Sequence, residues 1–290
     1  MASRQQLKQR IRSVRTTRQT TKAMQLVAAS KLRRAQEAVA GPRAYARLAR
    51  GILARLRSVA SGETEFHLFA ERPIKRRLLV VIASDRTLAG AYNANIIRRM
   101  FQELRNDRDK GIKTSVIVVG RQAANAAGRV SGLDIHAVYT GLPDKPTEDD
   151  LRPILSTIVG LFADKVVDTV DVISTKFIST VSQQVQAERL LPAGLDAGDE
   201  DIADQFVPEA EPSVEALLES TVLRLLDAQI YQALLEASAS EHAMRMLAMK
   251  NATDNASDII DDLTLALNNA RQAAITQELA EITGGAEAMA

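Results

Sequence analysis

Polar side chains that could bind a ligand follow the first strongly apolar segment of the chain. That segment, Leu78–Ala83, has the composition of a buried strand, and Ser84, Asp85 and Asn93 come after it. Open α/β sheets bind nucleotides just beyond the ends of such strands. A phosphate cradle also needs a glycine-rich loop, and Gly90 stands alone, outside both common patterns. We therefore predict a structural turn here, with Ser84 or Asn93 capping the next helix.

The other side chains that could take part in catalysis or bind a metal are scattered along the chain. The three histidines, His67, His136 and His242, lack the spacing of metal ligands. Carboxylates cluster at 144–150 and 196–204, in segments typical of solvated loops rather than of acid–base sites. Cysteine is absent, which excludes disulfides, thiolate catalysis and cysteine metal sites. We predict no catalytic residue, no metal site and no bound cofactor.

The middle of the chain alternates between apolar runs of strand length and amphipathic helical patterns. Strands are predicted at 78–83, 114–120, 133–139, 169–180 and 182–191, and helices at 93–109, 120–130 and 147–165. Such a β-α-β alternation builds a sheet with a parallel core and covering helices. Residues 70–205 are therefore predicted to form a central Rossmann-like α/β domain.

The two ends of the chain are long segments without helix breakers. Residues 1–40 and 213–283 contain neither glycine nor proline, so helices are predicted over 1–60 and 210–285, with Gly284-Gly285 closing the second. Apolar or small residues recur in both at steps of three and four, close to a heptad seam. The seam comprises Leu7, Ile11, Val14, Thr17, Thr21, Met24, Ala28, Lys31, Ala35 and Ala38 in the first helix, and includes Leu226, Ile230, Ala237 and Ile260 in the second. We expect the two helices to pair as a long antiparallel coiled coil.

The net charge of +1 conceals a strong asymmetry. Residues 1–57 carry 15 basic residues and a single acid, Glu37, whereas the remainder carries 22 basic and 35 acidic residues. A block of one sign indicates a charged partner. A nucleic-acid-binding coiled coil is one alternative, although the basic helix almost lacks the aromatic residues that stack on single strands. A nucleotide-dependent enzyme built on the central domain is the second alternative.

Four segments of the chain match one family pattern in order. They are Thr20–Leu32, Ser84–Asn93, Ser238–Ala256 and Ala270–Leu279, the last followed by Glu281-Ile282 and Gly284-Gly285-Ala286. Together they resemble the gamma subunit of F-type ATP synthases. The resemblance covers the whole chain, and its C-terminal blocks are highly specific.

The resemblance implies a mechanical subunit rather than an enzyme. In that family the terminal helices form an antiparallel coiled coil inside a ring of three alpha and three beta subunits. The α/β domain lies outside the ring, against the epsilon subunit and the membrane ring of c subunits. Ion flow turns this rotor shaft, which drives the beta sites through the conformations of ATP synthesis. The gamma subunit holds no catalytic residue, and the resemblance implies neither a cofactor nor a nucleic acid partner.

Contact positions follow from the matched motifs. The resemblance implies that Met24, with Lys22 and Lys31 beside it, faces the acidic lever of the beta subunits. A second set implied to contact the ring consists of Arg245, Arg271, Gln272 and Thr276. The last turns are implied to form an apolar tip in a hydrophobic sleeve; their residues are Ile275, Leu279, Ile282 and Ala286.

The chain departs from the family pattern at a few points. Thr87 stands where the family usually has glycine, and Ala89 where many members have cysteine. The cysteine-bearing segment of chloroplast members is missing, which favours a bacterial source. No apolar run reaches 18 residues, so no transmembrane helix is predicted. The expected location is the cytoplasmic face of the cell (plasma or inner) membrane, bound peripherally through the complex.

Overall fold

The structure is a computed structural model that describes residues 4–59, 68–69, 72–193 and 214–287. Of the sequence predictions, His67 and the acidic segment 196–204 lie outside these ranges. The chain divides into two compact units, one of residues 1–28 with 245–290 and one of residues 29–244. The elements in order are α1 (Arg4–Val59), β1 (Arg76–Ile82), α2 (Tyr92–Asp109), β2 (Lys113–Val119), α3 (Arg121–Ala127), β3 (Asp134–Tyr139), α4 (Glu148–Ala163), β4 (Thr169–Phe177), β5 (Gln183–Leu191) and α5 (Val214–Glu287).

The five strands form one sheet in the order β3-β2-β1-β4-β5. β3, β2, β1 and β4 are parallel, and β5 runs antiparallel to β4. At the centre Val80 pairs with Ile117 on one side and with Val172 on the other. β1 and β2 are continuous apolar runs because both faces of the sheet are covered. The predicted parallel core and the mixed α/β class with terminal helices are confirmed.

Alternate side chains of β1 feed two separate apolar clusters, as the period of two in a strand requires. Leu78 and Val80 point to one face, where α4 and the 222–237 segment of α5 cover the sheet. Leu79 and Val81 point to the other face, which α2 and α3 cover. The sheet is therefore the middle layer of a three-layer unit.

α5 is part of this core and not only a neighbour of it. Its predicted seam residues Leu226, Ile230 and Ala237 are buried against the sheet and α4. Burial in this stretch extends beyond one seam, since Ala239 and Ala243 are also fully buried. The division of the chain at 1–60, 70–205 and 210–285 stays a prediction, but the 222–237 segment of α5 completes the α/β layer.

The smaller unit contains the first half of α1 and the second half of α5. Its buried side chains are Leu7, Ile11 and Ala28 from α1, and Met249, Thr253, Ala256 and Ile260 from α5. The Thr253 hydroxyl donates a hydrogen bond to the Thr21 hydroxyl at 2.8 Å, so the two helices meet at this point.

Part of the predicted α1 seam is wrong. Thr17 and Met24 are exposed. The buried or half-buried residues of this stretch are the predicted Thr21 and Ala28, together with Gln25. A straight helix has 3.6 residues per turn, so it drifts away from a strict heptad over several turns. Extending the heptad from Leu7 therefore misassigned Thr17, about three turns later, and then Met24.

The predicted end of the last helix is also wrong. α5 continues through Gly284-Gly285 to Glu287. Glycine costs a helix interior only about 1 kcal/mol relative to alanine, so it stops a helix only where the chain turns left-handed. No helix within the described residues is long and apolar enough to cross a bilayer.

Candidate functional site

The turn between β1 and α2 is closed by its own side chains. Asn93 Oδ1 accepts a hydrogen bond from the Ser84 backbone N–H at 3.1 Å, and Asn93 Nδ2 donates to Ser84 Oγ at 2.8 Å. Ser84 Oγ donates in turn to the Arg86 carbonyl at 2.6 Å. The predicted structural turn is present, but the predicted capping is wrong. The N-cap residue of α2 is Ala91, and no side chain makes a capping hydrogen bond at this end of the helix.

Asp85 uses both carboxylate oxygens to join this turn to two other loops. Oδ1 accepts a hydrogen bond from the Arg121 N–H at 2.9 Å, and Oδ2 accepts one from the Gly141 N–H at 2.8 Å. A carboxylate that accepts two backbone N–H groups is well satisfied. Sequence reasoning named Asp85 but missed this role, since its partners lie 36 and 56 residues away.

Two backbone segments also approach each other closely at the carboxyl edge of the sheet beside Asp85. Gly120 has φ of +98°, and a Cβ there would lie 2.2 Å from the Ala83 carbonyl oxygen. The β1 and β2 chains thus approach each other too closely for any side chain. The edge at which an open α/β sheet would hold a nucleotide carries a carboxylate and packed backbone instead.

The acidic cluster at 144–150 divides into separate structural roles. Thr147 and Asp150 form a capping box at the start of α4, in which Asp150 Oδ2 accepts hydrogen bonds from the Thr147 N–H and hydroxyl at 2.7 and 2.8 Å. These bonds lower the pKa of the Asp150 carboxyl. The predicted start of this helix near Thr147 is confirmed.

Asp144 lies between two basic groups that come from the two long helices. Lys31 Nζ of α1 donates to Asp144 Oδ2 at 2.7 Å. His242 Nε2 of α5 lies 3.1 Å from Asp144 Oδ1, and His242 is only 3% exposed. The hydrogen bond from His242, followed by the contact with Lys31, holds the pKa of the Asp144 carboxyl well below its usual range. Among the described residues, no cluster of histidine and carboxylate side chains could hold a metal ion.

A buried ion cluster that sequence reasoning missed ties α2 to the sheet. Arg77 of β1 contacts Glu103 at 2.8 Å and Asp107 at 3.0 Å in α2, and it also pairs with Asp171 of β4. Arg189 of β5 pairs with the second oxygen of Asp171. The carboxylates outweigh the opposing effect of burial and raise the pKa of the Arg77 guanidinium. The sequence signal for this cluster was an arginine near the start of a strand. An amphipathic helix follows that strand, with acidic residues on its buried face.

The predicted contact residues of α1 fall into two groups. Lys22 and Met24 are exposed in the smaller unit, and Lys22 Nζ donates to Gln25 Oε1 at 3.3 Å. Met24 is 40% exposed, which is unusual for a methionine beside a helix pairing. Lys31, in contrast, lies in the larger unit, half-buried and bound to Asp144.

The predicted contact residues of α5 lie along its second half. Arg271 and Gln272 are exposed, and the Thr276 hydroxyl donates to the Gln272 carbonyl at 3.0 Å. Arg245 is half-buried.

The predicted apolar tip is exposed where the structure describes it. Ile275, Leu279 and Ile282 are 48, 59 and 68% exposed. The side chain of Ala286 lies outside the described residues. These three large apolar side chains therefore form an exposed apolar surface on the last part of α5.

Comparison with known proteins decides the family. The model of the ATP synthase family matches residues 3–289. The ATP synthase gamma chain of Heliobacterium modesticaldum is 42% identical over 289 residues, which is 98% of either chain. The chain belongs to the ATP synthase gamma family. As a gamma chain it is a subunit of ATP synthase, in the central stalk.

Solved structures agree with this gamma fold. The central stalk and c-ring structure of the Tetrahymena thermophila mitochondrial ATP synthase contains a chain with 25% identity and a TM-score of 0.59, matched over 80% of this gamma chain and 99% of that chain. The Euglena gracilis mitochondrial ATP synthase contains a chain similar in fold at 20% identity, with a TM-score of 0.67 and coverage of 98% and 93%. The Euglena rotor in another rotational state gives 19% identity and 0.65 over 93% and 97%.

Proposed function

We propose that this gamma chain is the rotor shaft that couples ion-driven rotation of a membrane c-ring to ATP synthesis at beta subunits. The observation that carries the proposal is the pair of helices α1 and α5, of 56 and 74 residues, which begin and end a chain of the gamma family. Helices of globular proteins average about 11–12 residues, so these lengths serve something other than a compact core. Helices of this length suit a part that transmits rotation.

The proposal assigns no catalytic residue to the chain. The polar turn at Ser84–Asn93 is accounted for by hydrogen bonds within the protein, and Asp85 spends both oxygens on backbone N–H groups. A nucleotide phosphate near Asp85 would meet a carboxylate of like charge. These contacts support a mechanical role and weigh against the nucleotide-dependent alternative.

The proposed partners are three alpha and three beta subunits, the epsilon subunit and the c-ring. The solved relatives belong to assemblies described as central stalk with c-ring, and as OSCP, F1 and c-ring. We assign this chain to the corresponding place. It would then act at the cytoplasmic face of the cell membrane, held there by the complex.

The basic and polar contact positions suit an acidic ring lining. Lys22 and Met24 are exposed on α1, and Arg271 and Gln272 are exposed on α5, all within the smaller unit. With Arg245 and Thr276 they form the proposed contact set. Exposed cations opposite acids steer and register a partner more than they add affinity.

The end of α5 would turn inside an apolar sleeve. Ile275, Leu279 and Ile282 present aliphatic side chains, which carry no hydrogen-bonding groups, to the surface. Dispersion and hydrophobic contacts are non-directional, so such a surface can rotate against its partner without breaking specific bonds. This property fits a bearing better than it fits a fixed interface.

Co-purification tests the proposal directly. A tagged chain expressed in its own cell should be recovered in a complex of three alpha, three beta and one gamma chain, by native mass spectrometry. A variant with Arg271 and Gln272 both replaced by alanine should still assemble into this complex but lose coupled ATP synthesis. A stable monomer that never joins such a ring, or that binds RNA or DNA at physiological salt instead, would refute it.

A further inference from the structure

We propose that Asp144 anchors α1 to the α/β layer and so limits movement of α1 relative to α5 within the larger unit. This inference rests on the proposed rotor function. It concerns three side chains of the larger unit, Lys31, Asp144 and His242, that come from α1, the β3–α4 loop and α5.

The two helices are attached to the α/β layer in different ways. α5 contributes Val222, Leu226 and Ile230 to the apolar core, together with strands β1 and β4 and helix α4. No described residue of α1 belongs to either apolar cluster of that layer. Apolar packing therefore holds α5 in the layer, whereas the buried α1 side chains Leu32, Ala35 and Val39 belong to neither cluster.

Polar contacts repeat this difference. α5 also bonds the sheet directly, since Glu236 Oε2 accepts the Phe177 N–H at 3.2 Å and the Ser240 hydroxyl donates to the Thr175 carbonyl at 3.4 Å. Among the polar contacts of the described α1 side chains, the ion pair of Lys31 with Asp144 at 2.7 Å reaches the α/β layer. The same carboxylate holds His242 of α5, so one residue joins both helices to the layer.

The loop that carries Asp144 is itself held on both sides. Before it, the Gly141 N–H donates to Asp85. After it, the Thr147–Asp150 capping box fixes the start of α4. A carboxylate on a loop fixed at both ends is preorganised, so less entropy is lost when it binds its two partners.

His242 makes the site more than a surface ion pair. Its ring is 3% exposed, and Asp144 Oδ1 is the partner of its Nε2. A buried donor without its acceptor costs the full desolvation of that group, whereas an exposed pair is worth little. The His242 contact holds the Asp144 carboxylate in place, and the Lys31 ammonium binds to the oxygen that remains.

The assignment changes the role expected of Lys31. The family resemblance places Lys31 opposite the acidic lever of a partner, yet its ammonium already has an acidic partner within the chain. As an anchor, Lys31 resists rotation of α1 about α5 when torque passes through the helices. Lys22, which is exposed in the smaller unit, keeps the proposed role toward the lever.

The two roles of Lys31 predict opposite results for Asp144→Asn in the assembled ATP synthase. The readout is the number of coupling ions pumped per ATP hydrolysed in membrane vesicles. An anchor predicts that Asp144→Asn, Lys31→Met and the double variant all lower this ratio to the same level, because each removes the Lys31–Asp144 ion pair, while the amide oxygen of asparagine can still accept a hydrogen bond from His242. Asp164→Asn, an exposed carboxylate at the end of α4, is the matched control and should leave the ratio unchanged.

A lever contact predicts a different pattern. Asp144→Asn would then release Lys31 and pump at least as well as the unaltered enzyme, and Lys31→Met would still impair pumping. That result would overturn the anchor and leave the rotor function standing. Failure of the rotor function itself would show as an unaltered enzyme that hydrolyses ATP without pumping.

A second measurement does not depend on the Asp144 variant. The chain has no cysteine, so a bead can be attached at a single Arg108→Cys on α2 in an immobilised complex. Lys31→Met should broaden the angular fluctuation of the bead while it pauses between steps, and Arg33→Met, an exposed position of the same helix, should not. An unchanged angular width for Lys31→Met would overturn the proposal.

Discussion

Asp85 Oδ1 accepts a hydrogen bond from the backbone N–H of Arg121 at 2.9 Å, across 36 residues of chain. With its other oxygen on Gly141, the carboxylate joins the loops that follow β1, β2 and β3. The turn that looked most like a ligand site is thus a connection between loops. The first prediction tests this relationship.

Asp85→Ala should loosen the three loops together. Hydrogen bonds to a charged group are worth about 1.5–3 kcal/mol each, and both would be lost. Hydrogen exchange in the assembled enzyme should speed up at the amides of Arg121 and Gly141. Asp109→Ala, an exposed acid at the end of α2, should leave both amides as they are, and unchanged exchange in Asp85→Ala would show that the carboxylate holds neither loop.

Two glycine substitutions compare a position with open space around it and a position where two backbone segments approach closely. Gly111 and Gly120 both have positive φ, but a Cβ at Gly111 meets nothing within 4 Å, and one at Gly120 would lie 2.2 Å from a carbonyl oxygen. Gly111→Ala should cost roughly 1–2 kcal/mol from the left-handed backbone alone. Gly120→Ala should lower the free energy of unfolding further, measured by urea denaturation, since β1 and β2 must also separate. Equal losses would contradict the close approach of the two strands.

Arg77→Met should be among the most destabilising single changes in the α/β layer. It leaves Glu103, Asp107 and Asp171 without their shared cation, and breaking a buried pair in this way costs about 3–5 kcal/mol. Arg33→Met, which breaks an exposed pair with Glu37, should cost no more than about 0.5 kcal/mol. Denaturant titration of both variants measures the difference.

The Arg77 cluster should be insensitive to pH near neutrality. The pKa of the Arg77 guanidinium is raised in the folded state. Its contribution to the free energy of unfolding is therefore fully present below the unfolded-state pKa, and it is lost only as the pH rises through the folded-state pKa. The difference between Arg77→Met and the unaltered chain should therefore be constant from about pH 6 to about pH 9, far below the arginine range. A marked fall of the difference within this window would argue against an ionised Arg77 as the source.

Asp227→Asn should stabilise the chain at neutral pH. Burial, and then the nearby charge of Glu148, raise the pKa of the Asp227 carboxyl, so its ionised form is unfavourable in the folded state. That penalty is present above the folded pKa and disappears as the pH falls below the unfolded one, where the natural carboxyl is protonated. Thermal unfolding should show a higher midpoint for Asp227→Asn than for the unaltered chain at about pH 7, and no difference at about pH 3. A gain that is the same at both values, or a gain in the exposed control Asp164→Asn, would assign the effect to something other than ionisation.

The strand and helix order could be predicted from the sequence because it depends on local patterns. Apolar runs of strand length, such as Leu78–Ala83, alternate with helical periods, and the parallel core follows from that alternation. Helix ends were less predictable. The glycine pair at 284–285 is compatible with both an end and a continuing helix.

The contacts that define the candidate site could not be predicted, because they join residues far apart in sequence. Lys31 and Asp144 are separated by 113 positions, and the carboxylate gives no local sign of which cation it will meet. The family motif identified Lys31 as important but not its partner. The same holds for Arg77, whose three acids come from two different elements.

The most direct test of the rotor account is rotation itself. A bead attached to the α/β layer through Arg108→Cys should turn in one direction when ATP is supplied to a complex immobilised by its alpha and beta subunits, since the 222–237 segment of α5 is packed into that layer. The account predicts stepwise rotation whose rate follows ATP hydrolysis. A complex that hydrolyses ATP while the bead stays still would contradict it.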